Sequence, residues 1–298
     1  MKKKSYEKYK KWLELNAESL EGKTVAITGS TGGLGKEVAK YCAYLGASLI
    51  LVNRNVTLSE AQKNELISDF PNLSVKCVIA DMTDLNSVKE ATKNLVEEDI
   101  DIFISNAGAY SIPRKILDTG YDNVYQINFI SPYYMLKQLM PTLEKNSGSA
   151  VIVGSIAHNY SKIDKRSPDF RDRERASLVY GNAKRYLMYS SLELAKNASN
   201  AKITVTHPGI TFTNITSHYP KLIFAIIKNP MKVIFMKPEK AALSILKGIF
   251  EGENEQSWIG PRIFNVWGLP SSKKLFTASL EEIKFISNTA ENIYTSLG

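Results

Sequence analysis

A tyrosine and a lysine four residues apart, Tyr180 and Lys184, form a pair of side chains that can hold and transfer a proton. A free tyrosine has a pKa of about 10, which is too high for an efficient acid–base group at neutral pH. Residues four positions apart share one face of a helix, so the lysine ammonium can stabilise the phenolate and lower that pKa. The pair therefore predicts proton exchange with a substrate oxygen.

The spacing alone does not identify this pair, because Tyr-x-x-x-Lys occurs three times, at 6–10, 133–137 and 180–184. The first copy lies in a polar leader, and the second lies inside a long predicted helix. Only the third opens a helix shortly after an apolar strand that ends in a serine, Ser155. Position in the chain, rather than spacing, makes Tyr180 the candidate.

A glycine-rich turn lies directly after the first predicted strand and before a helix. Its sequence is Thr28-Gly29-Ser30-Thr31-Gly32-Gly33-Leu34-Gly35. Glycines allow a tight turn in which the backbone can approach a pyrophosphate, and the free N–H groups at a helix start attract anionic charge. The turn therefore predicts a dinucleotide site on the first strand-to-helix connection.

Strands and helices alternate along most of the chain. Strands are predicted at 23–28, 48–53, 74–80, 100–105, 149–153 and 202–206, with a weaker one near 258–259. Helices are predicted at 34–45, 57–69, 84–98, 119–145 and 178–199. The alternation indicates βαβ units, and nearly continuous apolar strands suit a sheet covered by helices on both faces. We therefore predict an α/β fold, a single doubly wound Rossmann-type domain whose mostly parallel sheet has about seven strands.

The remaining segments lie around this pattern. We expect a leader helix over 1–20, the dinucleotide-binding domain over 21–265 with a lid at 210–238, and a C-terminal tail over 266–298. Residues 160–175 carry six Lys or Arg and four Asp or Glu, which indicates an exposed insertion.

The composition is that of an ordinary globular protein, with 298 residues of which 44% are hydrophobic and 23% charged. The net charge of +8 is concentrated in two lysine-rich segments, 1–11 with +5 and 219–238 with +4. A broad nucleic-acid-binding surface is therefore not expected, whereas weak peripheral contact with an anionic membrane is compatible with these segments.

The two cysteines, Cys42 and Cys77, lie in apolar stretches without metal-ligand spacing. We expect free thiols in a reducing compartment and no metal site. No secretory signal is apparent, and the longest apolar run, 222–227, is far shorter than the roughly 20 residues that a membrane span needs. The sequence thus predicts a soluble, cytoplasmic protein.

The pattern of the glycine turn, T-G-x-x-x-G-x-G, resembles that of the short-chain dehydrogenase/reductase (SDR) family. Other landmarks of the family follow in the same order over about residues 22–215. They are Asp81, Asn106-Ala107-Gly108, Asn128, Ser155, Tyr180 with Lys184, and Pro208-Gly209 with Thr213. The gap of 25 residues from Ser155 to Tyr180 and the segment 223–230 are similar to the retinol dehydrogenase and protochlorophyllide reductase branch.

The resemblance implies a catalytic set of Asn128, Ser155, Tyr180 and Lys184. In this set Tyr180 exchanges the proton, Ser155 donates a hydrogen bond to the substrate oxygen, and Lys184 contacts the nicotinamide ribose. Asn128 would hold a water that connects Lys184 to solvent. The implied cofactor-binding residues are Gly29, Ser30, Thr31, Gly33, Leu34, Gly35, Arg54, Asp81, Asn106, Gly108, Tyr180, Lys184, Pro208, Gly209 and Thr213.

The end of the second strand bears on which nicotinamide is bound. An acid there would accept hydrogen bonds from the ribose 2′-OH of NAD and repel the 2′-phosphate of NADP. This chain has Asn53 followed by Arg54, whose guanidinium suits a phosphate dianion. Lys36 either adds a positive field or faces solvent. NADP(H) is therefore favoured over NAD(H).

The lid predicted at 210–238 bears on the substrate. Its apolar side chains favour a lipophilic carbonyl or alcohol, such as a retinoid, a steroid or a long-chain aldehyde. They are Phe212, Phe224, Met231, Phe235 and Met236. Packing of these side chains against the core or a second subunit is an equally open interpretation. His158 either reaches the substrate or is held within its own turn.

Three hypotheses for function remain. The first is an NADP(H)-dependent dehydrogenase or reductase with Tyr180 as the general acid–base group. The second keeps the cofactor and Tyr180 but reduces a carbon–carbon double bond. The third is a non-catalytic NADP-binding sensor or interaction protein, against which the intact catalytic set argues. A homo-oligomer is expected, because many SDR relatives are dimers or tetramers.

Overall fold

The computed structural model describes residues 4–110, 112–160, 163–169, 175–211, 235–251, 257–275 and 277–298. Its strands are β1 Thr24–Thr28, β2 Ser48–Asn53, β3 Val75–Ile79, β4 Ile102–Ser105, β5 Ser149–Val153, β6 Lys202–Thr206, β7 Ser257–Ile263 and β8 Trp267–Lys274. Its helices are α1 Ser5–Lys8, α2 Lys10–Asn16, α3 Gly33–Tyr44, α4 Val56–Asp69, α5 Leu85–Glu97, α6 Asn123–Tyr125, α7 Ser131–Lys145, α8 Ala176–Ala195, α9 Pro238–Phe250 and α10 Leu280–Leu297. A π-helical segment, Gln126–Ile130, joins α6 to α7, and a 3-10 helix spans Ile156–Tyr160.

The strands form one sheet in the order β3-β2-β1-β4-β5-β6-β7-β8. The first seven run parallel, and β8 pairs antiparallel with β7. This order confirms the doubly wound α/β fold. The sheet has eight strands rather than about seven, because β8 was not predicted. Its sequence contains glycine, proline, two serines and two lysines, and so lacks the β-branched and aromatic pattern typical of strands.

Both faces of the sheet are covered by apolar side chains. Alternate residues of β1 point to opposite faces, so Ala26 belongs to one hydrophobic cluster, whereas Val25 and Ile27 belong to the other. Helices α5, α7, α8 and α10 complete the first cluster, and α3, α4 and α9 complete the second. Each fully buried Val, Leu or Ile side chain contributes about 1.5–3 kcal/mol to the stability of the fold. This packing holds in place the strand ends that carry the site.

The N-terminal helices α1 and α2 pack on the second face of the sheet. The Tyr6 ring stacks on Tyr44 with centroids 4.8 Å apart, and Leu13 is buried. Two of the leader lysines are held by acids, since Lys8 pairs with Glu239 at 2.8 Å and Lys4 pairs with Asp69. The charge of these two lysines is therefore partly neutralised within the fold.

The segment expected to be a C-terminal tail forms β8 and α10. Helix α10 lies against α7 and α8, where Glu282 pairs with Arg185 at 2.7 Å and Glu291 pairs with Lys137 at 3.0 Å. Residues 266–298 thus add a strand to the sheet and a helix to its first face. No helix within the described ranges is both long and apolar enough to cross a bilayer.

Candidate active site

A cleft of about 730 Å³ opens at the carboxyl ends of β1, β2, β4, β5 and β6. Ligands of doubly wound sheets bind at this edge, where the strand order reverses. Most predicted site residues line the cleft. They are Gly29, Thr31, Gly33, Leu34, Gly35, Arg54, Asp81, Asn106, Gly108, Ser155, Tyr180, Lys184, Pro208 and Gly209. Ser30 and Asn128 lie behind the wall, and Thr213, with most of the predicted lid, lies outside the described residues.

The glycine turn folds tightly against the ends of β1 and β4. Gly29 has a φ of +66°, and a Cβ there would lie 2.9 Å from the Ala107 Cα. A Cβ on Gly35 would lie 2.4 Å from the Gly29 carbonyl oxygen. Helix α3 begins at Gly33, and its first N–H groups have no intrahelical acceptors. The backbone therefore forms a cradle of the kind that binds a pyrophosphate.

A buried polar network supports this turn from below. Asn53 accepts a hydrogen bond from the Thr31 amide at 3.2 Å and donates to the Ser30 hydroxyl at 2.8 Å. The Ser30 hydroxyl donates to Gln62 Oε1 at 2.8 Å, and Gln62 Nε2 donates to the Ser30 carbonyl at 2.9 Å. Ser30 therefore organises the turn rather than facing the cleft. No sequence pattern indicates Gln62, because α4 has no clear apolar stripe to mark its inward face.

The charged residues near the end of β2 take different positions. Arg54 is exposed on the cleft wall, and no described residue forms an ion pair with it. Lys36 does not line the cleft, because its ammonium pairs with Glu65 on α4 at 2.6 Å. Asp81 also lines the cleft and accepts hydrogen bonds from the Thr83 amide and hydroxyl at 2.9 and 2.7 Å. Among the described residues at this end, Arg54 is thus the cation available to an anionic group.

Asn128 lies in the π-helical segment and is fully buried. Its Nδ2 donates to the carbonyls of Ala109 and Val124 at 2.7 and 2.8 Å, and its Oδ1 accepts from the Ala109 amide at 3.2 Å. A Cβ on Gly108 would lie 2.8 Å from Asn128 Oδ1 and 3.5 Å from Lys184 Nζ. Single π turns are common at functional sites, and this one brings Asn128 to the same glycine that Lys184 approaches.

Ser155, Tyr180 and Lys184 meet at the other end of the cleft. Lys184 is 2% exposed, its Nζ donates to the Val153 carbonyl at 2.8 Å, and it lies 6.0 Å from the centre of the Tyr180 ring. Burial lowers the pKa of Lys184 to about 8. Burial also raises the pKa of Tyr180 to about 12, against the opposing effect of its hydrogen bond with Ser155.

The expected lowering of the Tyr180 pKa by Lys184 is therefore wrong for this structure. Desolvation of the phenolate by burial is the largest cause of the raised pKa, and the lysine ammonium is directed to the backbone of β5. At neutral pH the tyrosine holds its proton and the lysine is mostly charged.

Tyr110 is a cleft residue that the sequence analysis missed. Its ring meets the Tyr180 ring edge to face, with centroids 5.1 Å apart and an interplanar angle of 77°. It follows the Asn106-Ala107-Gly108 motif by two residues, and no pattern distinguishes it from the other tyrosines. Both rings line the cleft.

His158 is held within its own turn, as the second of the two interpretations predicted. Its Nδ1 donates to the Ser155 carbonyl at 2.5 Å, and its Nε2 accepts from the Thr277 hydroxyl at 3.0 Å. Burial lowers its pKa to about 4, so it is neutral at physiological pH. His158 therefore fixes the backbone of Ser155 and does not line the cleft.

Neither a metal cluster nor a disulfide is found in the described part of the chain. No group of three or more His, Cys, Asp or Glu side chains there is arranged to hold a metal ion. Cys42 and Cys77 are both free thiols, and burial raises the pKa of each.

Comparison with known proteins identifies the family to which the chain is similar. The profile of the family described as short chain dehydrogenase matches residues 23–221. The chain is 27% identical over 206 residues to retinol dehydrogenase 13 from Homo sapiens, a match that covers 67% of this chain and 62% of that protein. The chain thus aligns with less than two thirds of that relative's length. This similarity confirms the resemblance to the retinol dehydrogenase branch.

Two solved structures share the fold. One is an uncharacterized protein from Mycobacterium Paratuberculosis, with a TM-score of 0.76, 22% identity, and coverage of 93% of this chain and 95% of that one. The other is L-sorbose reductase from Gluconobacter frateurii complexed with NADPH and L-sorbose, with a TM-score of 0.62, 20% identity, and coverage of 79% and 92%. Because the family profile also spans more than half of its residues, the chain belongs to the short-chain dehydrogenase family of oxidoreductases.

Proposed function

We propose that the protein is an NADP(H)-dependent oxidoreductase that acts on a lipophilic carbonyl or alcohol, with Tyr180 as its general acid–base group. The observation that carries the proposal is the arrangement of one cleft. The glycine turn and Arg54 line one part of it, and Ser155, Tyr180 and Lys184 line the other. Binding of a long dinucleotide along the cleft would bring its reactive end to the tyrosine.

The residues fit a dinucleotide. The tight approach of Gly29 and Gly35 to neighbouring backbone leaves the N–H groups of α3 free to face a pyrophosphate. The related fold of L-sorbose reductase was solved with NADPH bound. A nicotinamide bound here would donate or accept the hydride, and the side chains of the chain itself would handle the proton.

The proton transfer follows from the hydrogen bonds around Tyr180. In the reducing direction, the Tyr180 hydroxyl donates its proton to the substrate oxygen, and Ser155 donates a hydrogen bond to the same oxygen as its charge grows. The Lys184 ammonium stabilises the phenolate that remains. Asn128, packed behind Lys184 with Gly108, supports the lysine and is suited to hold a water on the path to solvent.

NADP(H) is the preferred cofactor in this proposal because of Arg54. An exposed guanidinium on the cleft wall, with no acid at the end of β2, favours a ribose 2′-phosphate. Asn53, at the position where an acid would favour NAD(H), carries no charge and is largely buried under the glycine turn, so it does not repel a phosphate.

The proposed substrate class rests on the wall opposite the glycine turn. This wall carries mostly apolar side chains, with Tyr110 beside Tyr180. Its apolar members are Ile112, Ile156, Ala157, Ile210 and Phe235. Such a surface favours a retinoid, steroid or long-chain aldehyde over a sugar. The similarity to retinol dehydrogenase 13 supports the same class.

Oxidation of NADPH, followed with retinoids, steroids and long-chain aldehydes, tests this proposal. We expect turnover with at least one lipophilic carbonyl and none with a sugar carbonyl such as that of L-sorbose. Binding of NADPH without turnover on the whole panel would favour the non-catalytic hypothesis instead. The cytoplasmic location and the homo-oligomer remain predictions.

A further inference from the structure

The β7–β8 hairpin extends beyond the carboxyl end of the sheet, on the side where the cleft opens. Ile259 of β7 is paired with Thr206, the last residue of β6, and β7 continues to Ile263. The four residues that follow Ile259, at about 3.3 Å each, extend β7 roughly 13 Å beyond the end of β6. Its turn contains Phe264 and Asn265 in the left-handed region, with φ of 50° and 58°.

Four large apolar side chains are exposed at this projecting end. We call them the hairpin patch: Ile263, Phe264, Trp267 and Leu269, which are 51%, 85%, 38% and 45% exposed. Ile263 is the cross-strand partner of Trp267, and Leu269 is two residues further along β8. Ile263 and Trp267 therefore share one face, whereas an irregularity in the strand pairing separates this pair from Leu269, and Phe264 lies in the turn at the tip.

Two basic residues lie beside the patch. Arg262 directly precedes Ile263, and the Lys273 side chain reaches the turn, whereas Lys274 pairs with Ser257 at the other end of the hairpin. The Lys273 ammonium donates to the carbonyls of Pro261 and Arg262 at 3.1 and 3.0 Å and to Asn265 Oδ1 at 2.6 Å. The lysine thus fixes the turn while its charge stays near the tip. An apolar tip with a tryptophan and two adjacent basic residues matches the interface of an anionic bilayer.

From these observations we infer that the hairpin patch docks the protein on an anionic phospholipid surface. A second copy of the chain fits the patch less well. Pro270 lacks an N–H group and Gly268 weakens β8, so this edge is poorly suited to pairing with another strand. Four side chains are also few compared with the roughly 20–30 residues that each partner contributes to a stable interface.

The hairpin is joined to the cleft wall. A Cβ on Gly209 would lie 2.6 Å from the Val266 carbonyl in the hairpin turn, and Gly209 lines the cleft. Docking through the hairpin would therefore bring the cleft mouth close to the bilayer. That a lipophilic substrate enters from the bilayer rests on the proposed function, whereas docking itself does not.

Sedimentation of the full chain with vesicles of phosphatidylcholine and phosphatidylserine tests docking without cofactor or substrate. The decisive variant is Phe264→Asn, because asparagine tolerates the left-handed backbone and removes the exposed ring. We expect its partition coefficient to fall about tenfold. The matched control is Leu280→Gln, which removes an 80% exposed side chain at the start of α10 and should bind like the wild type.

Further tests examine the role of charge and the alternative of self-association. Arg262→Gln should weaken binding to anionic vesicles at low salt, and pure phosphatidylcholine should bind the wild type more weakly. The inference is overturned if the wild type does not bind anionic vesicles at low salt, or if Phe264→Asn, with an unchanged melting temperature, binds as well as the wild type. A change in oligomeric state in Phe264→Asn with unaltered vesicle binding would equally overturn it and assign the patch to a second copy. These experiments measure vesicle binding and not turnover. Their results therefore stay the same if the protein proves inactive on lipophilic carbonyls.

Discussion

The Lys184 ammonium donates a 2.8 Å hydrogen bond to the backbone carbonyl of Val153, the last residue of β5. This bond fixes the lysine at the end of the strand that leads to Ser155. The raised pKa of the neighbouring Tyr180 has a different cause, which is the burial of its phenol. Burial therefore shifts the two pKa values in opposite directions, that of Lys184 down to about 8 and that of Tyr180 up to about 12.

The depressed pKa of Lys184 predicts how stability depends on pH. Between about pH 8 and its unfolded value near 10.5, the unfolded chain holds a proton on this lysine that the folded chain has lost. The contribution of Lys184 to the free energy of unfolding therefore rises as the pH rises through this window, by up to about 3 kcal/mol. Urea titrations at pH 7.5 and at about pH 9.5 measure it, with Lys184→Met as the reference.

Lys184→Met has no group that titrates at this position, so its stability should lack that increment. Equal pH dependence in the wild type and in Lys184→Met would contradict the assigned pKa. The pH dependence of turnover should reflect the same lysine, because the neutral amine stabilises the Tyr180 phenolate less well than the ammonium does. We expect kcat/KM for reduction to decline above about pH 8.

Arg54→Ala tests the cofactor preference. Loss of a charge-assisted contact with the 2′-phosphate should raise the KM for NADPH at least about tenfold and leave the KM for NADH nearly unchanged. Lys36→Ala is the matched control, because Lys36 pairs with Glu65 and does not line the cleft. An unaltered preference in Arg54→Ala would remove this residue from cofactor recognition.

Gln62→Leu tests the buried network under the glycine turn. The change leaves the Ser30 hydroxyl and carbonyl without their partner, which should cost about 1–3 kcal/mol of stability and weaken NADPH binding. Gln138→Leu removes a comparable bond, to the Tyr294 hydroxyl, far from the cleft. It should lose stability without losing cofactor affinity. If both variants bind NADPH equally well, the network does not position the turn.

Much of the fold and of the site is predictable from the sequence because the signals are local. All six strong strand predictions match strands whose ends differ by no more than two residues. The apolar runs that produce them are buried on both faces, as for Ala26 and Ile27. The order of the glycine turn, Ser155 and Tyr180 similarly follows from the strand ends that carry them.

The features that escaped prediction depend on tertiary contacts. Strand β8 forms by pairing with β7, although its own residues favour turns. The inward face of Ser30 results from Asn53 and Gln62, which lie 23 and 32 residues away. The high pKa of Tyr180 results from burial, whereas helical spacing to Lys184 suggested a low one. Spacing indicates which side chains meet, and burial decides their charge.

The pair formed by Ser155 and Tyr180 is central to the proposed function, and Tyr180→Phe tests it most directly. The measurement combines NADPH binding, followed by cofactor fluorescence, with NADPH oxidation on the best lipophilic carbonyl of the panel. Because phenylalanine keeps the ring and removes only the hydroxyl, we predict cofactor affinity close to that of the wild type and a fall in kcat of at least about 100-fold. Near-normal turnover in Tyr180→Phe would contradict the account.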